Sequence, residues 1–443
     1  MKTIGRYEIV GRLGRGGMST VYKARAPITG RLVALKILQP RDALFAELLG
    51  EEKLKASFVA EAKIMGGLSH DHVAKVLDCA EHEGRPFIVL EYFAHSLGAF
   101  IGESYRVEDP SRKISAAKTK TYLTQALKGL ERLHFAGIIH RDIKPYNLML
   151  TSDDRVKIID FGLSRVRGEE QTAVPGLQVG TPFYAAPEQV GDPKMADGRA
   201  DLFSLGVLAL RMLTGHLFSG GQEGGVLAEL IGTELGAPWE KWLRRSLARR
   251  PEDRFQTAQE MRLALQALPL TPKPVSAARE NPVPWNSGSI RCQPAQVRLK
   301  YIRTDLGLDT LFRPLTYDLQ DFTVVGPQVA FERNSERFWQ RHGSGFTLNW
   351  QEAWEYIAHL NSTNWQGRDN WRLPTVAELR TVLKLPLHEV DCSSWPLFEG
   401  GIHWLWSADT CNKKQAWSVD VVESFFERLD RDGVASVCGV SSA

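Results

Sequence analysis

The sequence predicts the α+β fold class, with two folded regions joined by a proline-rich linker. The 443-residue chain contains 43% hydrophobic and 24% charged residues, a balance that supports two or three buried cores. β-Branched or alternating runs dominate the chain up to Tyr92, and helical apolar spacing dominates the region that follows. LPLTPKPVSAARENPVPWNSGS then combines repeated prolines with small polar residues, as a semi-extended linker does. The predicted domains therefore span residues 1–268 and 290–443, with the linker at 269–289.

The first region is predicted to begin with an antiparallel sheet. Five short runs, separated by turn residues, have strand character: YEIVGRL, TVYKARA, RLVALKIL, AKVLDCAE and PFIVLEYF. Between the third and fourth runs, apolar residues recur at spacings of three and four in FAELLGEEKLKASFVAEAKIMGGL, which predicts a helix. Three later segments have the same spacing: AKTKTYLTQALKGLERLHFAG, DLFSLGVLALRMLTG and WEKWLRRSLARR. We therefore expect a small sheet-rich lobe followed by a helical lobe.

Three simple features of the sequence bear on its partners, its location and its metal or disulfide sites. They are the net charge, the N-terminal sequence and the cysteine spacing. The 55 basic and 52 acidic residues leave a net charge of +3, which gives no indication of a nucleic-acid partner. MKTIGRYEIV lacks the apolar core of a signal peptide, and no run of about 18 apolar residues follows, so we expect no membrane span and a cytoplasmic location. The five cysteines are widely spaced and form no C-x-x-C pair, which disfavours a zinc site and predicts mostly reduced thiols.

Two short loops carry the residue types that phosphoryl transfer needs. GIIHRDIKPYNLML places Asp142, Lys144 and Asn147 between a helix and an apolar strand. A carboxylate there would orient an attacking hydroxyl, a cation would lie near the moving phosphoryl group, and an oxygen ligand would bind magnesium. VKIIDFGLS then ends a β-branched run with Asp160, an oxygen donor that suits a hard cation.

Residues from about 7 to 268 resemble a bacterial-type (Hanks-type) serine/threonine protein kinase domain. Six motifs occur in the order of that family: LGRGGMSTVYKA, VALK, HRDIKPYN, DFG, GTPFYAAPE and PEDRF. The resemblance implies the bilobal protein-kinase fold and an ATP- and Mg²⁺-dependent transfer of the γ-phosphate to protein hydroxyls, with autophosphorylation. The alternative is a pseudokinase that binds nucleotide, or none, and serves as a scaffold.

The resemblance also implies the catalytic and metal-binding roles. Asp142 is expected to be the catalytic base, and Lys144 is expected to neutralise the γ-phosphate. Lys36 of VALK would hold the α- and β-phosphates, with Glu61 as its acidic partner. Glu51 and Glu52 are alternative partners for Lys36. The two predicted magnesium ligands are Asn147 and Asp160.

The same resemblance implies an ATP site around GRLGRGGMST. Ser19 stands where a third spaced glycine is expected, and glycine tolerates the backbone angles of a loop that wraps phosphates. Leu90 resembles the gatekeeper, and Glu91 and Phe93 would offer backbone groups to adenine. The complete set of expected nucleotide-binding residues is Leu13, Gly14, Arg15, Gly16, Gly17, Val21, Ala34, Lys36, Leu90, Glu91 and Phe93.

Other matched positions concern stability and regulation. Glu188 and Arg254 resemble a buried ion pair, and Asp201 would brace the catalytic loop. Arg141 resembles an arginine that pairs with a phosphorylated activation loop, since a guanidinium suits phosphate geometry. Ser164 and Thr172 are the hydroxyls between Gly162 and Gly180, and Thr172 is the hypothesised autophosphorylation site. Thr181 belongs to GTPFY and is expected to be structural.

Three features depart from the commonest kinase pattern. Tyr146 occupies a slot that is usually small or acidic, which places an aromatic ring near the substrate channel. Two insertion-like stretches, residues 38–57 and 96–115, are interpreted as surface loops. The basic cluster KWLRRSLARR is interpreted as a solvated helix face.

The C-terminal region is predicted to be a mixed α+β domain rich in tryptophan. Nine of the 12 tryptophans follow the linker, which indicates a different fold from the first region. Asn349 and Glu352 have capping-box spacing ahead of an apolar helical stripe, and Thr375 and Glu378 repeat the arrangement. The segments with strand character are FTVVGPQVAFER, IHWLWSAD and QAWSVDVVES.

From Phe322 to near its end, the chain resembles the Legionella collagen-like protein C-terminal domain. The core WRLPTVAEL carries the resemblance, which implies a C-type-lectin-like fold that senses a ligand or recruits a substrate, with no catalytic set. The partners would be protein substrates, ATP and a protein or small-molecule ligand of this module. The tryptophans are a packed core or, alternatively, a carbohydrate-stacking platform. Cys392, Cys411 and Cys438 allow one disulfide only if the protein is exported.

Overall fold

The computed structural model describes residues 2–40, 50–104, 106–160, 165–166, 183–191, 196–218, 235–270, 290–317, 322–383, 397–398 and 402–442. The chain divides into two compact units. The N-terminal unit comprises Met1–Pro110, Ala117–Thr151 and Arg155–Pro269. The C-terminal unit comprises Ser111–Ala116, Ser152–Asp154 and Leu270–Ala443.

The N-terminal unit begins with a six-stranded antiparallel sheet in the order β1-β2-β3-β4-β6-β5, which confirms the predicted sheet. One face carries an apolar core in which Val33 and Leu35 are buried. The strands are β1 (Thr3–Ile4), β2 (Tyr7–Arg15), β3 (Ser19–Arg25), β4 (Leu32–Leu38), β5 (Val76–His82) and β6 (Arg85–Glu91). Along β4, Leu35 and Ile37 alternate with Lys36. Because successive side chains of a strand point to opposite faces, Lys36 lies on the face opposite this core.

Helix α1 (Glu51–Gly66) packs against this sheet. Its buried Leu54 and Phe58 form an apolar cluster with Ile88 of β6. Because these residues recur at helical spacing, one face of α1 is held against the sheet while the opposite face is solvated. The predicted helix is confirmed from Glu51 onward, and its earlier part lies outside the described residues.

The rest of the N-terminal unit is helical. Its longest buried element, α5, is buried along its length from Ala200 to Thr214. The Asp197 side chain accepts a hydrogen bond from the N–H of Arg199 at its start, and Gly215 ends it at φ 76°. The helices are α2 (Leu97–Phe100), α3 (Ala116–Phe135), α4 (Pro187–Gly191), α5 (Gly198–Thr214), α6 (Ala237–Ser246) and α7 (Ala258–Gln266).

Short strands position the loops between these helices. β7, β9 and β10 form a three-stranded sheet, and β8 pairs with β11. A single 3₁₀ turn, Pro145–Asn147, connects the loop after β8 to β9. The strands are β7 (His95–Ser96), β8 (Ile138–Ile139), β9 (Leu148–Leu150), β10 (Val156–Ile158) and β11 (Arg165–Val166).

The basic cluster KWLRRSLARR and residues 96–115 are both interpreted from the sequence as surface features, and the structure agrees with only the first interpretation in full. Lys241, Arg244 and Arg245 of α6 are exposed, as expected for a solvated helix face. The surface-loop interpretation of residues 96–115 is wrong at Phe100 and Arg112, which are buried, and holds for residues 106 and 108–110, which are exposed. Residues Leu97–Phe100 of that stretch form α2, and the side chains of Leu97 and Phe100 pack into the interior. Residues 41–49 of the other stretch lie outside the described residues.

The C-terminal unit contains two antiparallel sheets and short helices, in agreement with the predicted α+β class. The sheet orders are β12-β13-β14-β18 and β15-β16-β17. Both predicted capping boxes form, at the starts of α9 and α10. The elements are α8 (Ile302–Leu306), α9 (Trp350–Ser362), α10 (Val376–Thr381), β12 (Phe322–Gly326), β13 (Val329–Glu332), β14 (Arg337–Gln340), β15 (Trp404–Thr410), β16 (Gln415–Asp420), β17 (Phe425–Asp430) and β18 (Val440–Ser442).

Buried tryptophans form much of the core of this unit. Trp339, Trp371, Trp406 and Trp417 have almost no exposed surface. Each indole N–H is nevertheless satisfied; that of Trp417, for example, donates to the Val297 carbonyl at 3.2 Å. A buried donor that keeps its hydrogen bond avoids a desolvation penalty, so these rings can serve as core residues. The packed-core interpretation holds for these four.

Candidate active site

A buried lysine joins three elements at the centre of the candidate site. Nζ of Lys36, on β4, lies 2.9 Å from Oε1 of Glu61 on α1 and 2.9 Å from Oδ1 of Asp160, which follows β10. Burial disfavours the ammonium, but Asp160 and Glu61 outweigh that effect and raise the pKa of Lys36 above its usual value. The lysine is therefore charged at neutral pH and fixed between two carboxylates.

The geometry resolves which glutamate approaches Lys36. The side chains of Glu51 and Glu52 are largely exposed and lie within 3.3 and 3.6 Å of Nζ of Lys55, on the solvated face of α1. Glu61 is two to three turns further along the same helix, on the side that faces the sheet. It is the one of the three glutamates that forms a salt bridge with Lys36.

The loop after β8 gathers the three residues singled out in HRDIKPYN. Oδ2 of Asp142 accepts hydrogen bonds from Nζ of Lys144 at 2.7 Å and from Nδ2 of Asn147 at 2.9 Å. Nδ2 of Asn147 also donates to the Asp142 backbone carbonyl at 2.8 Å. These contacts orient the Asp142 carboxylate and fix which end of the Asn147 amide points away from it.

The carboxylate of Asp201 stabilises the backbone of this loop through hydrogen bonds. Its carboxylate accepts hydrogen bonds from the backbone N–H groups of His140 at 3.0 Å and Arg141 at 2.7 Å, and it lies 2.8 Å from Nε2 of His134. Burial of Asp201 acts to raise its pKa, but the hydrogen bond and charge of His134 prevail, so the pKa is lowered. Arg141 has a φ of 66°, which a residue with a side chain rarely adopts, and these bonds hold it there.

The predicted nucleotide-binding residues lie on adjacent strands. Gly14 pairs with Val21 across the β2–β3 hairpin, and Val21 pairs with Lys36 on β4. Ala34, two residues before Lys36, pairs with Leu90 of β6. Paired residues share a face of a sheet, as do residues two apart, so these side chains lie on the same face as the lysine.

The glycine-rich loop itself is exposed from Leu13 to Gly17. The N–H of Gly16 donates to the Ser19 carbonyl at 2.8 Å and closes the turn. Gly14, Gly16 and Gly17 all lack a positive φ, and an added Cβ would meet nothing closer than 3.6 Å. The expectation that special backbone angles require glycine here is therefore wrong for this conformation, since the chain alone leaves room for a side chain.

Glu91 is the last residue of β6, and Phe93 lies just beyond it. The carboxylate of Glu91 lies 3.2 Å from Nζ of Lys157, and its backbone N–H donates to the Lys75 carbonyl at 3.3 Å. Phe93, two residues beyond, is partly buried. The segment that would contact adenine is thus tied to β10 and to the start of β5.

A buried ion pair joins two of the later motifs. Arg254 of PEDRF donates from its two terminal nitrogens to the two carboxylate oxygens of Glu188 at 2.7 and 2.8 Å. Nε of Arg254 also donates to the Ala248 carbonyl at 2.7 Å. The bidentate geometry matches the expected structural pair.

Sequence reasoning missed one buried carboxylate. Glu103 forms a salt bridge with Nε of Arg211 at 3.0 Å and accepts from the hydroxyl of Tyr184 at 2.9 Å. Its backbone carbonyl accepts from the hydroxyl of Tyr146 at 2.7 Å. These partners are up to 108 positions away, so no local pattern could have indicated the cluster. It holds the Tyr146 ring, which is 46% exposed, beside the loop that follows β8.

Several predicted residues lie outside the described part of the chain. They are Phe161 and Gly162 of DFG and the hydroxyl residues Ser164, Thr172 and Thr181. Among the described residues, no helix is long and apolar enough to cross a membrane, and no group of three or more His, Cys, Asp or Glu is arranged to hold a metal ion.

Curated bacterial kinases resemble the chain over its N-terminal part. Pkn1 of Myxococcus xanthus is 32% identical over 298 residues, which cover 63% of this chain and 40% of that protein. PknJ of Mycobacterium tuberculosis is 33% identical over 280 residues, covering 59% of this chain and 45% of that protein. Both carry the name serine/threonine-protein kinase. The chain spans less than half the length of these two relatives.

Family models match two parts of the chain, and a solved kinase structure was also compared with it. A solved structure of the Mycobacterium tuberculosis PknI kinase domain is 26% identical, with a TM-score of 0.44, and the match covers 60% of this chain and 96% of that chain. Residues 329–438 match the Lcl C-terminal domain, and residues 7–256, more than half of the chain, match the protein kinase domain. The chain therefore belongs to the protein kinase domain family.

Proposed function

We propose that this chain is an ATP-dependent serine/threonine protein kinase that transfers the γ-phosphate of ATP to hydroxyl groups of proteins. The observation that carries the proposal is the buried Lys36, which bridges Glu61 and Asp160. The named relatives, which are serine/threonine-protein kinases, support the same activity. The alternative of a pseudokinase scaffold is disfavoured, because each ionic role in phosphoryl transfer has a residue of the required charge.

Lys36 would neutralise the α- and β-phosphates of ATP. Its ammonium is held in place by Glu61 and Asp160, so little reorganisation is needed when the nucleotide binds. The cradle around the nucleotide would comprise Leu13, Gly14, Arg15, Gly16, Gly17, Val21, Ala34, Leu90, Glu91 and Phe93. The open space at the glycines supports this role, since a phosphate could approach the backbone closely there.

Asn147 and Asp160 fit a magnesium ion by their chemistry. Asn147 uses its amide N–H to bind Asp142, so Oδ1 is the atom that would coordinate the metal. Asp160 would add a carboxylate oxygen, a ligand type that Mg²⁺ prefers. Bound magnesium would neutralise charge on the transferred phosphoryl group.

Asp142 would accept the proton of the substrate hydroxyl, and Lys144 would offset the charge of the γ-phosphate. Their side chains are 2.7 Å apart, so the cation is already beside the base. Arg141 precedes Asp142 and is buried, which is consistent with a partner in the activation loop. We retain Thr172 as the proposed autophosphorylation site, and its test is phosphopeptide mapping of active protein.

The C-terminal region would act as a binding module for ligand sensing or substrate recruitment. We propose a kinase domain at 1–268, a linker at 269–289 and a C-type-lectin-like module at 290–443. The match of residues 329–438 to the Lcl C-terminal domain supports a separate C-terminal module. The protein substrates are part of this proposal.

Labelled ATP and magnesium, incubated with purified protein and a general protein substrate, test the activity. Asp142→Asn and Lys36→Met are each expected to reduce phosphate transfer by about 100-fold or more, because each removes a charge used in the reaction. Asp71→Asn and Lys63→Met replace exposed residues and serve as matched controls. Wild-type protein that labels neither itself nor the substrate would refute the proposal, and labelling that is equal in all variants would identify a contaminating kinase.

A further inference from the structure

The C-terminal unit contains a short segment from the kinase part of the sequence. Residues Ser111–Ala116, with the sequence SRKISA, lie between α2 and α3 along the chain but belong to the C-terminal unit. Ser111, Arg112 and Ile114 are all buried there. We call residues 111–116 the SRKISA segment.

The arginine of the segment occupies an aromatic cage. Its guanidinium carbon lies 4.0 Å from the ring centroid of Phe425 and 5.7 Å from that of Phe312. Nε of Arg112 donates a hydrogen bond of 2.6 Å to the Leu311 carbonyl, and the residue is only 2% exposed. A planar cation stacked on aromatic rings is recognised by shape as well as by charge.

Carboxylates around the cage compensate the buried charge. Glu427, Asp309 and Asp420 all favour the charged form of Arg112, whereas the nearby Arg313 opposes it. Burial nevertheless dominates and lowers the pKa of Arg112 to about 10, so the guanidinium is charged at neutral pH. The carboxylates, the Phe425 ring and the Leu311 carbonyl offset part of the cost of burying this cation, and they would give a neutral side chain no such gain.

Other residues of the C-terminal unit also contact Lys113 and Ser115 of the segment. A terminal nitrogen of Arg313 donates to the Lys113 carbonyl at 2.6 Å. The carboxylate of Glu423 accepts hydrogen bonds from the hydroxyl of Ser115 at 2.5 Å and from its backbone N–H at 3.1 Å. Recognition thus extends over a pattern of arginine followed by serine three residues later.

The loops that form the cage are ordered by their own residues. Oδ1 of Asp309 accepts from the N–H groups of Leu311 and Arg313 at 2.8 and 2.9 Å, which fixes the turn that carries Phe312. Oδ1 of Asp420 accepts from the N–H groups of Val422 and Glu423 at 2.9 and 2.7 Å. Because these bonds do not involve the SRKISA segment, the turns at Asp309 and Asp420 are ordered in part by residues outside it.

We propose that the C-terminal unit carries a binding site for arginine side chains in Arg-x-x-Ser segments of proteins, and that Arg112 occupies this site in cis. The inference rests on the proposed role of this unit as a binding module and names its ligand class. It does not depend on phosphoryl transfer. A tethered segment has an effective concentration in the millimolar range, so free arginine ligands below that level would not displace Arg112.

Removing the Arg112 side chain in the 443-residue chain tests the proposal. Arg112→Ala is expected to lower Tm by about 5 °C, because the acidic cage loses its cation. N-acetyl-L-arginine amide should then raise the Tm of Arg112→Ala toward the wild-type value and should bind it in calorimetry. The same compound should leave wild-type Tm unchanged at submillimolar concentrations, and N-acetyl-L-lysine amide should bind the variant at least tenfold more weakly.

Matched variants separate specific binding from general effects. Arg106→Ala removes an exposed arginine nearby and should show neither the loss of Tm nor the rescue. Arg112→Ala combined with Phe425→Leu should lose the rescue, and Arg112→Gln replaces the alanine variant if the latter does not fold. Equal responses of wild type and variant to the arginine amide, or no response from either, would overturn the proposal. Kinase assays on the same samples show whether phosphoryl transfer fails independently of binding.

Discussion

Residues in the candidate site are held by two kinds of partner. Some partners lie a few positions away in the sequence, and others lie on a different element. Asp142, Lys144 and Asn147 lie within one loop, so their proximity followed from the spacing of the motif. The Lys36–Glu61 pair joins a strand to a helix, and spacing alone left Glu51 and Glu52 open as alternatives. Only the packing of α1 on the sheet decided among the three glutamates, because it sets which helix face meets β4.

Replacing Glu61 tests the importance of the lysine pair. Glu61→Gln removes one of the two carboxylates that hold Lys36 and leaves Asp160 as its ionic partner. We expect kcat/KM for ATP to fall by about 10- to 100-fold, since a misplaced ammonium no longer matches the phosphates. Steady-state kinetics over a range of ATP concentrations measure the effect. Glu52→Gln is the control, and a loss as large in that variant would contradict the assignment.

At the scale of elements, the catalytic loop is fixed by the helices around it. Asp201, near the start of α5, bonds two backbone N–H groups of the loop, and α5 is buried along most of its length. On the other side, the Tyr146 ring packs against Gly98 of α2. The sequence indicated the helix that contains Asp201, but the contact with Gly98 depends on how α2 and the 3₁₀ turn pack together.

Gly98 allows the close approach of α2 to the catalytic loop. A Cβ at this position would lie 2.7 Å from the Tyr146 ring, closer than real contacts allow. Gly98→Ala is therefore expected to lower the free energy of unfolding by about 1–3 kcal/mol, which denaturant unfolding would measure. Combining it with Tyr146→Ala should relieve part of the loss, since the clashing ring is removed.

Gly17 provides the matched control for this prediction. An added Cβ there meets nothing within 4 Å, so Gly17→Ala should change the free energy of unfolding by less than about 0.5 kcal/mol. Equal destabilisation in the two alanine variants would contradict the assignment of the loss at Gly98 to a clash with the Tyr146 ring.

At the scale of the whole molecule, each unit has its own core. In the C-terminal unit, buried residues from position 297 to position 440 form one apolar cluster. Cys438 lies in this cluster, with Sγ 2.8 Å from the Gln340 carbonyl, and burial raises its pKa. Cys411 is buried as well, whereas Cys79 and Cys292 are exposed, and all four thiols are free.

Thiol labelling therefore reports on the integrity of the cores. In native protein we expect a maleimide reagent to label Cys79 and Cys292 and to leave Cys438 unlabelled, because the reactive thiolate is both disfavoured and inaccessible there. Peptide mass spectrometry identifies the labelled positions. Labelling in about 6 M guanidinium chloride should reach Cys438 and provides the control. Comparable native labelling of Cys438 and Cys292 would contradict the buried position of Cys438.

The sequence by itself determined the motif order, the sheet, the three long helices and the two capping boxes. These features depend on periodicity and on contacts between residues a few positions apart, which a linear pattern preserves. The predicted cytoplasmic location and the role of Thr172 remain predictions.

The tertiary structure alone decided the partner of Lys36, the burial of Phe100 and Arg112, the Glu103 cluster and the cage around Arg112. Glu103 and Arg211 are 108 positions apart, and Ser115 and Glu423 are 308 positions apart. Pairings at such separations have no periodic signature, because they depend on how distant elements pack, and the hydrophobic effect that drives packing has no directional preference.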